Sequence, residues 1–199
     1  IEILEAMTFT QAQTLTIQAY EDTFQSLNFS PEQGMISTDV FLEKIIGLVN
    51  STDIPIASKR SRGETLYYYN IPAAFDIEVS SFYQNGEKKA CMYIWQFGIL
   101  NWVTYGRTWE ELYYFIRALC AILRCKDGPK LVVYVHNLAY EFQFIRQRFE
   151  WDKIFFLDER KPVYAVTKEG IEFRCSWKLS SKSLAKVGND LQKYTAHKS

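Results

Sequence analysis

A chain of 199 residues that is 48% hydrophobic and 16% aromatic holds enough apolar surface for one full core, alone or with an appendage, and is not a disordered chain. Its formal net charge is zero, which excludes a uniformly basic or acidic polyelectrolyte. The charge is unevenly spread: residues 1–50 carry seven acids against Lys44, whereas the rest carries 22 basic and 16 acidic residues, a balance of +6.

That later part can meet a polyanion, or the asymmetry can simply lie on two solvated faces. No apolar run approaches the length of a membrane span. The chain opens on Ile1 without a charged-then-apolar leader, and reads as trimmed, processed or cut from something longer. Cys91, Cys120, Cys125 and Cys175 form no Cys-x-x-Cys pair and have no His at ligand spacing, which argues against zinc. Cys91 and Cys120 fall in apolar patterns and read as reduced core residues, which points to a cytoplasmic setting.

The first 65 residues read as an acidic helical extension, with helices predicted near Thr10–Leu27 and Thr38–Val49. In the second, Val40, Phe41, Ile45, Ile46 and Val49 recur at helical spacing. Pro31 and Gly34 punctuate the connection. Ala57–Gly63, with Lys59, Arg60 and Arg62, reads as a short basic loop, either a solvated turn or a phosphate contact.

From residue 66 the period changes. Leu66–Asn70 and Ala73–Val79 read as strands, Asn85-Gly86 as a hairpin turn, and Lys89–Phe97 and Leu100–Tyr105 as the next two strands. Thr108-Trp109-Glu110-Glu111 is a capping box, and the helix it starts runs to about Arg124. Leu131–Val135 suits a strand covered on both faces. A helix over Glu141–Phe149 follows, then strands at Ile154–Leu157, Val163–Thr167 and Ile171–Cys175, and a last helix at Leu184–Leu191. The expected class is α/β: three antiparallel strands, then helix, strand, helix, strand.

Two segments carry candidate chemistry. Asp76 and Glu78, two apart on a strand, share one face about 7 Å apart along the chain. Side-by-side carboxylates repel, and a divalent cation between them relieves that repulsion. A bare Asp-x-Glu is also an ordinary strand edge. In the second segment a buried strand ends at His136-Asn137, and Glu141 follows at a helix start. A first-turn carboxylate is electrostatically ordinary, and His136 can be a plain loop histidine. Yet His136, Asn137, Tyr140, Phe142 and Phe144 form a polar and aromatic group of the kind that stacks bases and hydrogen-bonds phosphates.

Ala73-Ala74-Phe75-Asp76-Ile77-Glu78 resembles the Exo I motif of the DEDD 3′–5′ exonucleases. Tyr134-Val135-His136-Asn137-Leu138-Ala139-Tyr140-Glu141-Phe142 resembles Exo II, and its His-Asn-Leu form is similar to that of protein-primed, family B bacteriophage DNA polymerases. The resemblance runs from about Tyr67 to the C-terminus and includes Phe173-Arg174-Cys175-Ser176-Trp177. It implies a ribonuclease-H-like exonuclease domain over residues 66–199. Asp76, Glu78 and Glu141 would hold Mg²⁺ or Mn²⁺, with Glu141 where the family's best-known form has Asp. His136, Asn137, Tyr140, Phe144, Ser176 and Trp177 would grip single-stranded DNA, and Lys198 would assist cleavage. Cys175 stands where some relatives carry Asp.

The implied activity is metal-dependent hydrolysis of the 3′-terminal phosphodiester, as proofreading in the cytoplasm of an infected bacterial host. The implied partners are a single-stranded 3′ end, the remainder of a polymerase chain and a priming terminal protein. The third motif, Tyr-x-x-x-Asp, has no candidate: Tyr164 to Lys168 and Tyr194 to Lys198 have the spacing without the acid. The chain therefore reads as an N-terminal piece of a longer polymerase, with weak or absent nuclease activity by itself. The competing expectations are a non-catalytic nucleic-acid or protein binding module on the same fold, and a nuclease completed by dimerisation.

Overall fold

The computed structural model describes residues 2–3, 35–51, 54–61, 63–100, 102–159 and 161–189. In chain order its elements are β1 (Glu2–Ile3), β2 (Met35–Ile36), α1 (Thr38–Ser51), β3 (Ile56–Ser61), β4 (Glu64–Tyr69), β5 (Ala73–Gln84), β6 (Glu87–Ile99), β7 (Trp102–Gly106), α2 (Trp109–Leu123), β8 (Lys130–Val135), α3 (Leu138–Ile145), β9 (Trp151–Asp158), β10 (Lys161–Thr167), β11 (Ile171–Cys175), α4 (Ser176–Ser180) and α5 (Leu184–Asn189). The expected helix over residues 10–27 and Lys198 lie outside the described residues.

The architecture is α/β around one mixed sheet, whose main path runs β2-β7-β6-β5-β8-β11-β10-β9. β5, β6 and β7 form an antiparallel meander, with β5 and β6 joined at the Asn85-Gly86 turn, where both residues have positive φ. β8 joins β5 in parallel, and β11 joins β8 in parallel. β10 and β9 then continue antiparallel to the edge. The strand that neighbours β8 is therefore β11 rather than β9, the first strand after α3. A parallel neighbour needs a crossover, and here α3, β9 and β10 together make it.

The core lies on one face of the sheet. Alternation puts Phe75 and Ile77 of β5, Leu131, Val133 and Val135 of β8, and Ile171, Phe173 and Cys175 of β11 on this buried side. α2 lays Leu112, Phe115, Ile116, Leu119 and Leu123 against it. Its start is fixed by the capping box: Thr108 Oγ1 accepts from the Glu111 N–H, and the Glu111 carboxylate accepts from the Thr108 N–H. Phe115 meets Trp95, Phe97 and Phe41.

Phe41 belongs to α1, so the segment expected as an extension shares this core. α1 buries Phe41 and Ile45, whereas Val40, Ile46 and Val49, expected on the same apolar face, are exposed. A division at residue 65/66 falls inside β4.

One local expectation is corrected. Residues 57–63 are not a loop: β3 pairs antiparallel with β4 from Ile56↔Tyr69 to Ser61↔Glu64, and Gly63, at φ +88°, makes the turn. The Ser-Lys-Arg-Ser run has weak strand preference of its own. Its ladder is supplied by the Tyr-rich β4, which itself pairs with β8.

Candidate carboxylate site at the ends of the parallel strands

The register brings three separated segments level. Ala74 of β5 pairs with Tyr134 of β8, and Tyr134 pairs with Arg174 of β11. Two residues further on, Asp76, His136 and Ser176 follow on three neighbouring segments. His136 Nδ1 lies 3.2 Å from Ser176 Oγ, which also donates to the Val135 carbonyl at 3.4 Å. This is the carboxyl edge of the parallel strands, where open α/β sheets bind ligands.

Asp76 and Glu78 occupy the solvent-facing side of β5 together with Ala74, opposite the buried Phe75 and Ile77. Both are exposed by surface area, yet neighbouring atoms crowd their carboxyls enough to shift them. Crowding raises Asp76 above its ordinary range, offset by the Ile77 N–H and by His136. Crowding also raises Glu78, and the Asp76 charge adds to it. Just past Glu78 the β5–β6 ladder slips: Glu78 pairs with Ile94 and Val79 with Met92, leaving Tyr93 as the extra residue of a bulge. Bulges re-aim side chains beside sites. The phenol of Tyr93 is raised by burial and by the Glu78 charge.

Glu141 is the informative residue. α3 begins at Leu138, three residues before the expected start, because Asn137 takes a left-handed conformation (φ 64°, ψ 54°) that ends the β8 run and opens the helix. From that start, Leu138, Glu141, Phe142 and Ile145 fall on one helical stripe and all are buried. Glu141 is only 4% exposed, and its Oε2 is buried without a hydrogen-bond partner. Burial raises its carboxyl to about 8; its own N–H opposes the shift and Asp76 adds to it. The Tyr140 phenol is raised by burial, then by Glu141 and Glu78. Asp76 is thus coupled to His136, Glu78 and Glu141, and Tyr140 to Glu141 and Glu78.

The other expected residues are placed as follows. Asn137 is exposed and its side chain makes no capping bond. Tyr140 is 42% exposed and rests on Phe144, ring centres 5.4 Å apart. Phe144 itself is buried in the core and reaches the surface only through that contact. Trp177, on α4, is 41% exposed with Lys178 Nζ over its ring at 5.4 Å. Lys198 lies outside the described residues.

The donor chemistry suits a hard divalent cation: three carboxyls, one with an orphaned interior oxygen, all shifted toward the neutral form by crowding, with the Asp76 charge adding to it at Glu78 and Glu141. As the side chains stand, no three His, Cys, Asp or Glu groups among the described residues converge closely enough to hold an ion. Two residues escaped the sequence reading. Tyr93 is marked only by the bulge, which is a pairing property. Arg174 was signalled by its alternation with Glu172 in an otherwise apolar strand.

No family model matches the chain, and no curated protein or solved structure matches it. No helix among the described residues is long and apolar enough to cross a membrane.

Proposed function

We propose that the chain is the exonuclease portion of a phage-type, protein-primed family B DNA polymerase, built to hydrolyse the 3′-terminal phosphodiester of single-stranded DNA. The observation that carries this is Glu141: a carboxylate on the buried stripe of a helix, its Oε2 without a partner, electrostatically coupled to Asp76 at the carboxyl edge of the parallel strands. An unpartnered buried carboxylate destabilises a protein unless a ligand compensates it. The sheet supports a ribonuclease-H-like reading, since the path β7-β6-β5-β8-β11 joins an antiparallel meander to two parallel strands.

Asp76, Glu78 and Glu141 would hold Mg²⁺ or Mn²⁺. Such ions, when bound, supply hydroxide at neutral pH and neutralise charge on the leaving 3′-oxygen. The chain's own groups position the substrate. Tyr140 offers an exposed ring to the terminal base, and Asn137 an exposed amide. Ser176 holds His136 at the strand end, and Trp177 with Lys178 offers a ring beside a cation. The partners on this reading are a single-stranded 3′ end, the remaining polymerase chain and a priming terminal protein, in the host cytoplasm.

Incubation with a labelled single-stranded oligonucleotide and Mn²⁺ tests it. We expect slow 3′ shortening at most, because no fourth acid of a Tyr-x-x-x-Asp motif is in the sequence. Asp76→Ala should remove it, and Mn²⁺ should raise the melting temperature of the wild type but not of Asp76→Ala. Shortening that persists in Asp76→Ala, with no Mn²⁺ effect on melting, would sink the reading. A non-catalytic binding module is the second reading, favoured by the lack of convergence of the carboxyls. Single-strand binding in EDTA that Glu78→Ala leaves intact would support it.

A further inference from the structure

The β3–β4 hairpin does more than extend the sheet. Antiparallel pairing sets Lys59 opposite Leu66 and Ser61 opposite Glu64. With Tyr68, these residues line one wall of an open trough of about 430 Å³, whose opposite wall comes from β8, β9, β10 and β11. That volume is in the range of small-ligand sites. The trough lies on the sheet face that α2 does not cover, the same face that carries Asp76 and Glu78.

Two cation–ring pairs line the trough. The Arg174 guanidinium sits 5.0 Å from the Tyr68 ring centre and is held by Glu172 at 2.6 Å. Lys153 Nζ lies 5.8 Å from the centre of Tyr164, whose ring stacks on Phe155 at 5.5 Å and 20°. Lys59 and Lys130 complete the set. With Glu172 committed to Arg174, three lysines face Glu64 and Asp152. Rings paired with cations suit the bases and phosphates of a single strand.

The trough also points at the carboxylates. Arg174 stands beside Tyr134, Tyr134 beside Ala74, and Asp76 is the next residue on that face of β5. From strand and residue spacing, Arg174 and Asp76 are about 12 Å apart in a straight line.

We propose that this trough carries the single-stranded nucleic acid leading to the carboxylate site, with Lys59, Lys130 and Lys153 on phosphates and Tyr68 and Tyr164 against bases. The proposal rests on the reading of Asp76, Glu78 and Glu141 as the hydrolytic end of that path. It gives a function to Lys59 of the basic run, which the motif segments do not include.

The test uses the full chain in EDTA, so that binding is read without cleavage. Fluorescence anisotropy with labelled dT12 compares wild type with the Lys59→Glu/Lys153→Glu variant. Both lysines are exposed, so the variant should melt as the wild type does. We expect dT12 to bind roughly tenfold more weakly and the salt dependence to become shallower by about 1.4 in log–log slope, the share of two phosphate contacts on a single strand. An equally stable variant that binds dT12 with wild-type affinity and slope overturns the trough and leaves the hydrolytic reading standing. Loss of dT12 binding in the variant, with Mn²⁺-dependent shortening untouched by Asp76→Ala, upholds the trough and removes the hydrolytic reading. Wild-type protein that ignores dT12 but binds polyglutamate overturns both, and assigns the trough to an acidic protein partner.

Discussion

Glu141 couples the proposed site to stability. Its ordinary value is 4.5 and its folded value about 8. A carboxyl raised on folding leaves stability unreduced below 4.5, weakens it as pH climbs through that window, and has its full effect above 8. Asp76 and Glu78 are raised too and act in the same sense, while His136 draws Asp76 the other way. The displacement of Glu141 alone corresponds to at most roughly 5 kcal/mol. In EDTA, the melting temperature should fall between pH 5 and 8.5. Glu141→Gln should flatten most of that fall and be more stable than wild type at pH 8.5, by roughly 1–3 kcal/mol. Equal pH profiles for the two proteins would refute the buried-carboxylate account.

Asn137 separates backbone from side chain. Its left-handed conformation is one that glycine adopts freely and alanine does not. Asn137→Gly should therefore melt within roughly 0.5 kcal/mol of wild type, whereas Asn137→Ala should lose about 1 kcal/mol. If the exposed amide grips the 3′ end, both variants bind oligonucleotide equally weakly despite different stabilities. Binding that tracked stability would make Asn137 a turn residue only.

At the scale of elements, α2 shows a local rule sufficient in itself. The Thr108 capping box closes in the structure as the sequence implies, and the Glu111 carboxylate also accepts from the Arg107 N–H at 2.7 Å. Thr108→Ala should reduce stability by about 1 kcal/mol in a denaturant titration. α3 shows the opposite case. It has no side-chain cap, and its start depends on Asn137 turning the chain away from β8. Gly106, ending β7, is fixed by packing: a Cβ there would overlap the ring of Trp95, which is fully buried and donates to the Thr108 carbonyl at 3.0 Å. Gly106→Ala should destabilise by about 1–3 kcal/mol; an unchanged unfolding midpoint would show that the indole can move aside.

Across the whole molecule, Phe173 joins the two halves of the core. Its ring meets Phe75 of the meander, Phe149 after α3 and Trp151 of β9. It is 1% exposed, and Phe173→Ala should remove about 3–5 kcal/mol. Phe173 lies in β11, whose parallel ladder with β8 sets Ser176 against His136. That variant should therefore also lose oligonucleotide binding at temperatures where it remains folded.

The sequence by itself determined what local interactions decide: the meander over residues 73–106, the Asn85-Gly86 turn, the capping box and the short apolar run of β8. It also marked Asp76 and Glu78, because a period of two fixes which side chains share a face. Tertiary structure alone decided the rest. The basic run 58–60 became a strand only because β4 offered it a ladder. β9 went to the sheet edge because β11 took the parallel place beside β8. Glu141 became a buried carboxylate with an orphaned Oε2 because the turn at Asn137 rotated it onto the core stripe of α3. Register between distant strands and the onset of an uncapped helix are set by long-range packing, and neither leaves a local pattern in the chain.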